Sequence, residues 1–271
     1  MRRRCRRHVQ IATWLAASAF AASSAASGAS PVPLEHFFKL PAMSGAVVSP
    51  DGTKAALAIA GPNGQTAVAM VELANPKKVI GVAGIEGSGV AGIRWVNDRR
   101  VVFREVDFQR GIGDQTGYRL MAVNVDGTDF RRLVGVAATN KAREAPLPER
   151  YRLFGTLDDG SNDVLVSLCN WVEERGSSAL GGYKCQWMLE RLNTMTVGAR
   201  PLTPTAPENA SGWLADHRGE PRLMIGYERD RVVYHWRDGD SRWAPLADLD
   251  ALDGDGLSWY PHEIGADGKL Y

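Results

Sequence analysis

Few side chains in this sequence have the types and spacing that chemistry needs. Cysteine occurs at Cys5, Cys169 and Cys185, with no Cys-x-x-Cys, so neither a zinc site nor a thioredoxin-type site is indicated. "GSGVAG", residues 87–92, matches the Gly-x-Gly-x-x-Gly pattern of dinucleotide sites. Such a site needs a strand before the glycines and a helix after them, so that the helix N-terminus can hold the pyrophosphate. Here "IRWVNDRRVVF" follows, which reads as a strand, a turn and a strand. The glycines are expected to link two sheet units, and no cofactor is assigned. "LADLDALDGDG", residues 246–256, carries Asp248, Asp250, Asp253 and Asp255, and Asp alternating with Gly can supply oxygen ligands to calcium. No Glu closes the loop and no helical pattern flanks it, so an acidic loop is expected and no metal is assigned. His36, His217, His235 and His262 are scattered and read as surface or packing residues.

The compartment decides how the cysteines are read. Arg2, Arg3, Arg4, Arg6 and Arg7 crowd the start, and no acidic residue precedes Glu35. An apolar run, "VQIATWLAASAFAA" (9–22), and a small-residue stretch, "SSAASGAS", complete the three-part form of a secretory signal. The apolar core falls short of the roughly 20 residues that span a bilayer. A cut between Ala29 and Ser30 fits the small-residue rule, as does one after Ala26; an uncleaved anchor is the alternative. The expectation is an exported protein, periplasmic or secreted, with no membrane attachment once the signal is removed. Cys5 leaves with the signal, and an even pair in an oxidising compartment makes Cys169–Cys185 a disulfide candidate, two buried free thiols being the alternative. Its loop of about 15 residues would be worth about 3 kcal/mol in the chain-entropy model. The whole chain has a net charge of +1, and without the five early arginines it carries −4, with 27 basic against 31 acidic residues. There is no clustered basic face for nucleic acid.

The elements that must position these residues are short strands. "VPLEHFFKLPAM" (32–43) predicts one short helix closed by Pro41, within a lead-in over 30–44. From there to residue 271, apolar and β-branched runs such as "KAALAIA", "RVVFREV", "DVLVSLCNW" and "PRLMIGYE" alternate with turn clusters rich in Asp-Gly. Four units recur in kind, over about 45–85, 90–135, 151–204 and 211–248. Each has four strands in about 40–50 residues, the size of one propeller blade. A fragment, 258–271, repeats the start of such a unit: Asp267-Gly268 reads as a turn and Leu270-Tyr271 as the first residues of a strand that stops before it can pair. The fold class expected is all-β, a partial β-propeller of about four four-stranded antiparallel blades plus the start of a fifth, with a β-sandwich as the rival. The tryptophans, mostly on strand candidates, suit the gaps between stacked blades.

Several stretches together resemble a known family. "PLEHFFKLPAMSGAVVSPDGTKAALAIAG", "IRWVNDRRVVF", "GWLADHRGEPRLMIGYE" and "IGADGKLY" are similar, in order and spacing, to the N-terminal propeller of exported bacterial dipeptidyl- and acylaminoacyl-peptidase-like members of the prolyl oligopeptidase family. The resemblance implies a propeller that limits access to an α/β-hydrolase domain bearing a Ser-Asp-His triad. No Ser of this chain stands in Gly-x-Ser-x-Gly: Ser88 follows Glu86 by two residues and Ser211 follows Asn209. The family's catalysis therefore does not carry over, and no catalytic residue is assigned. The resemblance also suggests a role for Glu173 and Glu174 in "CNWVEERGSSALGGYKC", since some relatives bind a substrate's α-amino group with a propeller Glu pair; a solvated hairpin tip is the alternative. The functional expectation is a non-catalytic propeller fragment, a truncated or split gene product, whose partner would be a separately encoded hydrolase domain or a second copy, with peptide as ligand by resemblance only. A stand-alone exported binding module is the second expectation.

Overall fold

Turn chemistry and strand alternation close the chain into meanders. The computed structural model describes residues 41–61, 65–107, 119–135, 146–174, 182–228, 230–239, 242–250 and 260–271. Strands β1 (Met43–Val48), β2 (Lys54–Ala60), β3 (Thr66–Glu72) and β4 (Asn75–Ala83) form the first antiparallel sheet. The second holds β5 (Gly89–Asn97), β6 (Arg100–Val106), β7 (Leu120–Asn124) and β8 (Arg131–Val134). The third holds β9 (Tyr151–Thr156), β10 (Asp163–Glu174), β11 (Gly182–Asn193) and β12 (Ala199–Pro201). The fourth holds β13 (Ala210–Ala215), β14 (Pro221–Glu228), β15 (Arg231–Trp236) and β16 (Ala244–Asp250). Strand order follows chain order in all four, so every sheet is a simple up-and-down meander. Among the described residues there is no helix. The expected lead-in helix lies outside the described residues as far as Leu40, and Met43 and Ser44, expected to belong to the lead-in, already belong to β1.

One turn recurs at three places. Asn124–Thr128, Asp216–Glu220 and Gly265–Lys269 each carry the same two backbone hydrogen bonds, from the first amide to the fifth carbonyl and from the fourth amide to the first carbonyl. The fourth residue is Gly127, Gly219 or Gly268, at φ of 84°, 78° and 77°, a backbone region where a Cβ is penalised. The carboxylates of Asp126 and Asp267 and that of Asp216 each accept a main-chain N–H two residues on, which fixes the turn from its side chain. The last of these turns corrects the expectation for the C-terminal strand. Tyr271 does pair: its N–H donates to the Glu263 carbonyl, and Ile264 bridges Leu270.

The sheets are not side by side but face to face, and the pleat shows it. Along β6, Val101 and Phe103 enter an apolar cluster with Ala56, Val68 and Met70 of the first sheet. Val102, between them, enters a different cluster with Val164, Val166 and Leu168 of the third sheet. Along β10, Leu165 faces the other way and meets Trp213 and Met224 of the fourth sheet. Alternate side chains of one strand thus fill two different interfaces, which is what a sheet buried on both faces requires. A two-sheet sandwich would bury one face of each sheet only, so the observed architecture is a run of four stacked propeller blades. On the outer side of the fourth sheet, Leu223, Ile225 and Tyr234 cluster with Leu270 of the terminal hairpin, the opening of a fifth unit. On the far side of the first sheet, Val48, Val79 and Val82 are exposed.

Candidate functional site

Polar ties cross each interface where the blades meet. Between the first and second sheets the Trp95 indole N–H donates to the Val47 carbonyl at 3.0 Å, and the Asp51 amide donates to Asp98 at 2.8 Å. Between the third and fourth, the Trp213 indole N–H donates to the Trp187 carbonyl at 3.0 Å. Trp213 also lies against Trp243, ring centroids 5.3 Å apart, and the Arg237 guanidinium sits 4.9 Å from the Trp243 centroid. Trp95, Trp187, Trp213 and Trp243 thus line sheet interfaces as the sequence suggests, whereas Trp171 is exposed and Trp259 lies outside the described residues.

The densest tie joins the second and third sheets. Arg100 opens β6, two residues before Val102 on the same face, and is 1% exposed. Its Nε donates to Thr194 Oγ1 and its Nη2 to the Thr194 carbonyl, both at 2.9 Å. Its Nη1 donates to Asn124 Oδ1 at 2.7 Å and to Asp129 Oδ2 at 3.1 Å. Burial pulls the guanidinium down from its usual range and the Asp129 charge opposes that. Beside it, the Asn97 amide donates to the Ser161 carbonyl and to Asn162 Oδ1, both at 2.8 Å. The small cavity against Arg99, Arg100, Asn124 and Met195 is lined by these same turn residues. The sequence offers no signal for this network: Arg99 and Arg100 are adjacent and alike in it, yet the first is exposed and the second buried.

Across the third sheet, Tyr151 OH donates to Glu190 Oε2 at 3.2 Å. Burial, with the Glu190 charge, pushes the Tyr151 phenol up to about 12. Burial likewise raises the Glu190 carboxyl, against the opposing hydrogen bond from Tyr151.

The third sheet also carries the residues that the sequence singled out. β9 pairs with β10 only as far as Leu168, opposite Tyr151. β12 pairs with β11 only over Glu190–Leu192. The ladder between β10 and β11 continues for six more pairs, from Cys169↔Trp187 to Glu174↔Gly182. A two-stranded ribbon therefore projects past the end of its own sheet, about 20 Å long at the strand rise. Cys169 and Cys185 are bonded to each other across it, with Cα atoms 5.3 Å apart, within the usual span for a disulfide. Trp171 stands directly opposite Cys185 and is 63% exposed. Glu173 and Glu174 occupy the outer end of β10, opposite Tyr183 and Gly182; their side chains lie outside what the structure describes. Ala29 and Ser30, at the expected signal cut, lie outside the described residues.

The remaining motifs resolve as structure. Gly87 sits in a turn at φ 77° and Gly89 begins β5, so the "GSGVAG" glycines lead into a strand. Ser88 donates its hydroxyl to Glu105 Oε1 at 2.8 Å, and Ser211 donates to the Asn209 carbonyl at 3.2 Å. Asp248 of the acidic stretch lies in β16, 2.6 Å from Arg231; residues 251–259 lie outside the described residues. Among the described residues no group of three or more His, Cys, Asp or Glu is placed to hold a metal ion, and no helix is long and apolar enough to cross a membrane.

Fold and site together define a β-propeller segment of stacked four-stranded blades, with one disulfide-braced ribbon projecting from the third. No protein-family model matches the chain, and no curated protein matches it. Solved structures do. TolB from Acinetobacter baumannii matches over 75% of this chain and 43% of its own, at 17% identity and a TM-score of 0.36. A puromycin hydrolase matches over 84% of this chain and 32% of its own, at 16% identity and a TM-score of 0.34. The β-propeller domain of the Trilobed protease from Pyrococcus furiosus matches over 77% and 72%, at 11% identity and a TM-score of 0.37. The chain spans less than half the length of the first two. The propeller assignment stands on the sheet order and the alternating faces described above.

Proposed function

We propose that this chain is the propeller element of a prolyl oligopeptidase-like system, a scaffold that positions or gates and does not itself carry out hydrolysis. The observation that carries the reading is the face-to-face stack of meanders formed by the same stretches that resemble that family's propeller, "SPDGTKAALAIAG" in β1–β2 and "IRWVNDRRVVF" in β5–β6. The hydrolase chemistry would come from an α/β-hydrolase domain that these blades accompany. The Cys169–Cys185 bond supports an oxidising, exported setting. The test is direct. Purified chain is incubated with a fluorophosphonate serine probe and with peptide anilides, and no labelling and no turnover are expected. A serine labelled in stoichiometric yield would overturn the non-catalytic reading. Co-expression with a hydrolase domain encoded nearby is expected to yield a complex; a chain that stays alone, melts cooperatively and binds peptide would instead favour the stand-alone binding module.

A further inference from the structure

The projecting ribbon has one edge along which no described strand lies, and its backbone phase can be worked out. The Leu189 amide donates to Thr203 Oγ1 and the Leu189 carbonyl accepts from the Leu202 amide, so both main-chain groups of Leu189 point away from β10. In an antiparallel pair, facing residues alternate between exchanging both hydrogen bonds and exchanging none. Ser167↔Leu189 is therefore a pair without mutual bonds, and so, two and four residues on, are Cys169↔Trp187 and Trp171↔Cys185. The N–H and C=O groups of Cys169, Trp171 and Glu173 accordingly point outward from β10. That is the side on which β9 ends at Tyr151, and among the described residues no strand lies along it. On the opposite edge the Trp187 carbonyl is already taken by the Trp213 indole.

We propose that this open edge of β10 is a self-association surface, where Cys169–Glu173 of two copies pair antiparallel about a two-fold axis through Trp171. Three features select a second copy as the occupant. The edge is self-complementary: a two-fold at Trp171 sets Trp171 opposite its own counterpart and Cys169 opposite Glu173 of the second copy, so no two like charges stand directly across from each other. The residue on the axis is the most exposed large hydrophobic side chain described on this sheet, Trp171 at 63% exposure, and aromatic pairs across strands are favourable. The two strands of the ribbon are cross-linked at its base by the Cys169–Cys185 bond, so ordering it on association loses less entropy. The joined ribbons would form a four-stranded sheet whose central pair exchanges about six main-chain hydrogen bonds. A contact of that size gives a weak, concentration-dependent dimer and not an obligate one.

The inference rests on the ladder, the exposed Trp171 and the cross-strand disulfide, and stands or falls apart from the gating role. Its test is sedimentation equilibrium of the full oxidised chain from about 1 to 100 µM, with three variants. Wild type is expected to be a reversible dimer within that range. Trp171→Lys, which charges the axis, is expected to weaken it at least about tenfold with an unchanged circular dichroism spectrum and melting temperature. Glu173→Pro removes an outward N–H without touching the ladder to β11 and is expected to do the same. Hydrogen exchange at the Trp171 and Glu173 amides is expected to slow as dimer fills. A chain monomeric at about 100 µM overturns the proposal. So does a dimer equally strong in both variants, whose contact would then lie elsewhere; Val79→Lys, on the exposed face of the first sheet, would identify that surface.

Discussion

Replacing Arg100 tests whether the blades are held in register by polar ties as well as by apolar contact. The side chain makes five hydrogen bonds, to Thr194 Oγ1, the Thr194 carbonyl, Asn124 Oδ1, and the carbonyl and carboxylate of Asp129. In Arg100→Ala these groups do not suffer equally. Thr194 is fully buried, and its carbonyl is left without its donor. Its hydroxyl keeps a bond to the Asn162 carbonyl at 2.7 Å. Asp129 is 24% exposed and keeps Arg131 at 2.9 Å, so water and a second cation cover much of its loss. Breaking a buried pair costs about 3–5 kcal/mol, and an orphaned buried carbonyl alone about 1–3 kcal/mol. The retained partners place the expected loss at the lower end, about 3 kcal/mol. For a chain of this size that lowers the melting temperature by about 6–12 °C and the urea midpoint by about 1 M. Arg100→Lys keeps the charge but not the fork that reaches Thr194 and Asn124 together, and is expected to recover about half. Urea titrations followed by tryptophan fluorescence give the number. A loss below about 1 kcal/mol, or a lysine variant as stable as wild type, would refute the claim that this network carries the second interface.

Other perturbations have equally definite outcomes. Gly81 has an ordinary φ, but a Cβ there would lie 2.5 Å from the Val125 carbonyl oxygen of the next blade's turn, so Gly81→Ala is expected to lower stability by about 1–3 kcal/mol in thermal melts, whereas Gly52→Ala, in open space at φ 69°, is expected to lose only about 1 kcal/mol. Reducing the Cys169–Cys185 bond, or changing both residues to Ser, is expected to speed hydrogen exchange along Cys169–Glu174 while β9–β10 pairing up to Leu168 keeps its protection. Acid is expected to destabilise the fold through its turn carboxylates. A side-chain bond from Ser49, the Thr53 main-chain N–H and the Lys54 and Thr53 side chains hold Asp51 well below the usual range, and bonds from Thr128 lower Asp126. Asp216 is raised by burial but lowered more by the Glu220 amide, Arg222 and the Arg218 amide. A depressed folded-state value means stability present above the unfolded value near 4 and lost as pH falls below it. Melting temperatures from pH 5 to 2 should therefore drop, and Asp216→Asn should flatten the slope; an unchanged slope would assign the acid transition to other groups.

The blade pattern was legible because its causes are local. "SPDGTK" and "NVDGTDF" place Gly52 and Gly127 where the chain must take positive φ, and alternation on either side sets strand lengths within a few residues. The same chemistry at Asp267-Gly268 made a turn, and there the reading stopped short: the strand after it pairs backward with Glu263 and Ile264, so the terminal segment is a hairpin rather than an unpaired stub. The paired cysteines could be picked out from their count and compartment. The role suggested for Glu173 and Glu174 came only from family resemblance, and the structure adds their place on β10 but nothing of their side chains.

What the sequence by itself determined is therefore the succession of meanders, since a hairpin depends on residues that are neighbours along the chain. Which neighbours a blade acquires is settled at long range. Arg100 finds Thr194 from 94 residues away and Asn97 finds Asn162 from 65. No local pattern marks either pair. That Val101 faces one blade and Val102 another follows only once the sheets stack. The projecting ribbon is of the same kind. β10 and β11 are twelve residues long, as the sequence allows, but they project only because β9 ends opposite Leu168 and β12 spans three residues. A strand's edge becomes free or filled by the length of its neighbours, and the tertiary structure alone sets that comparison.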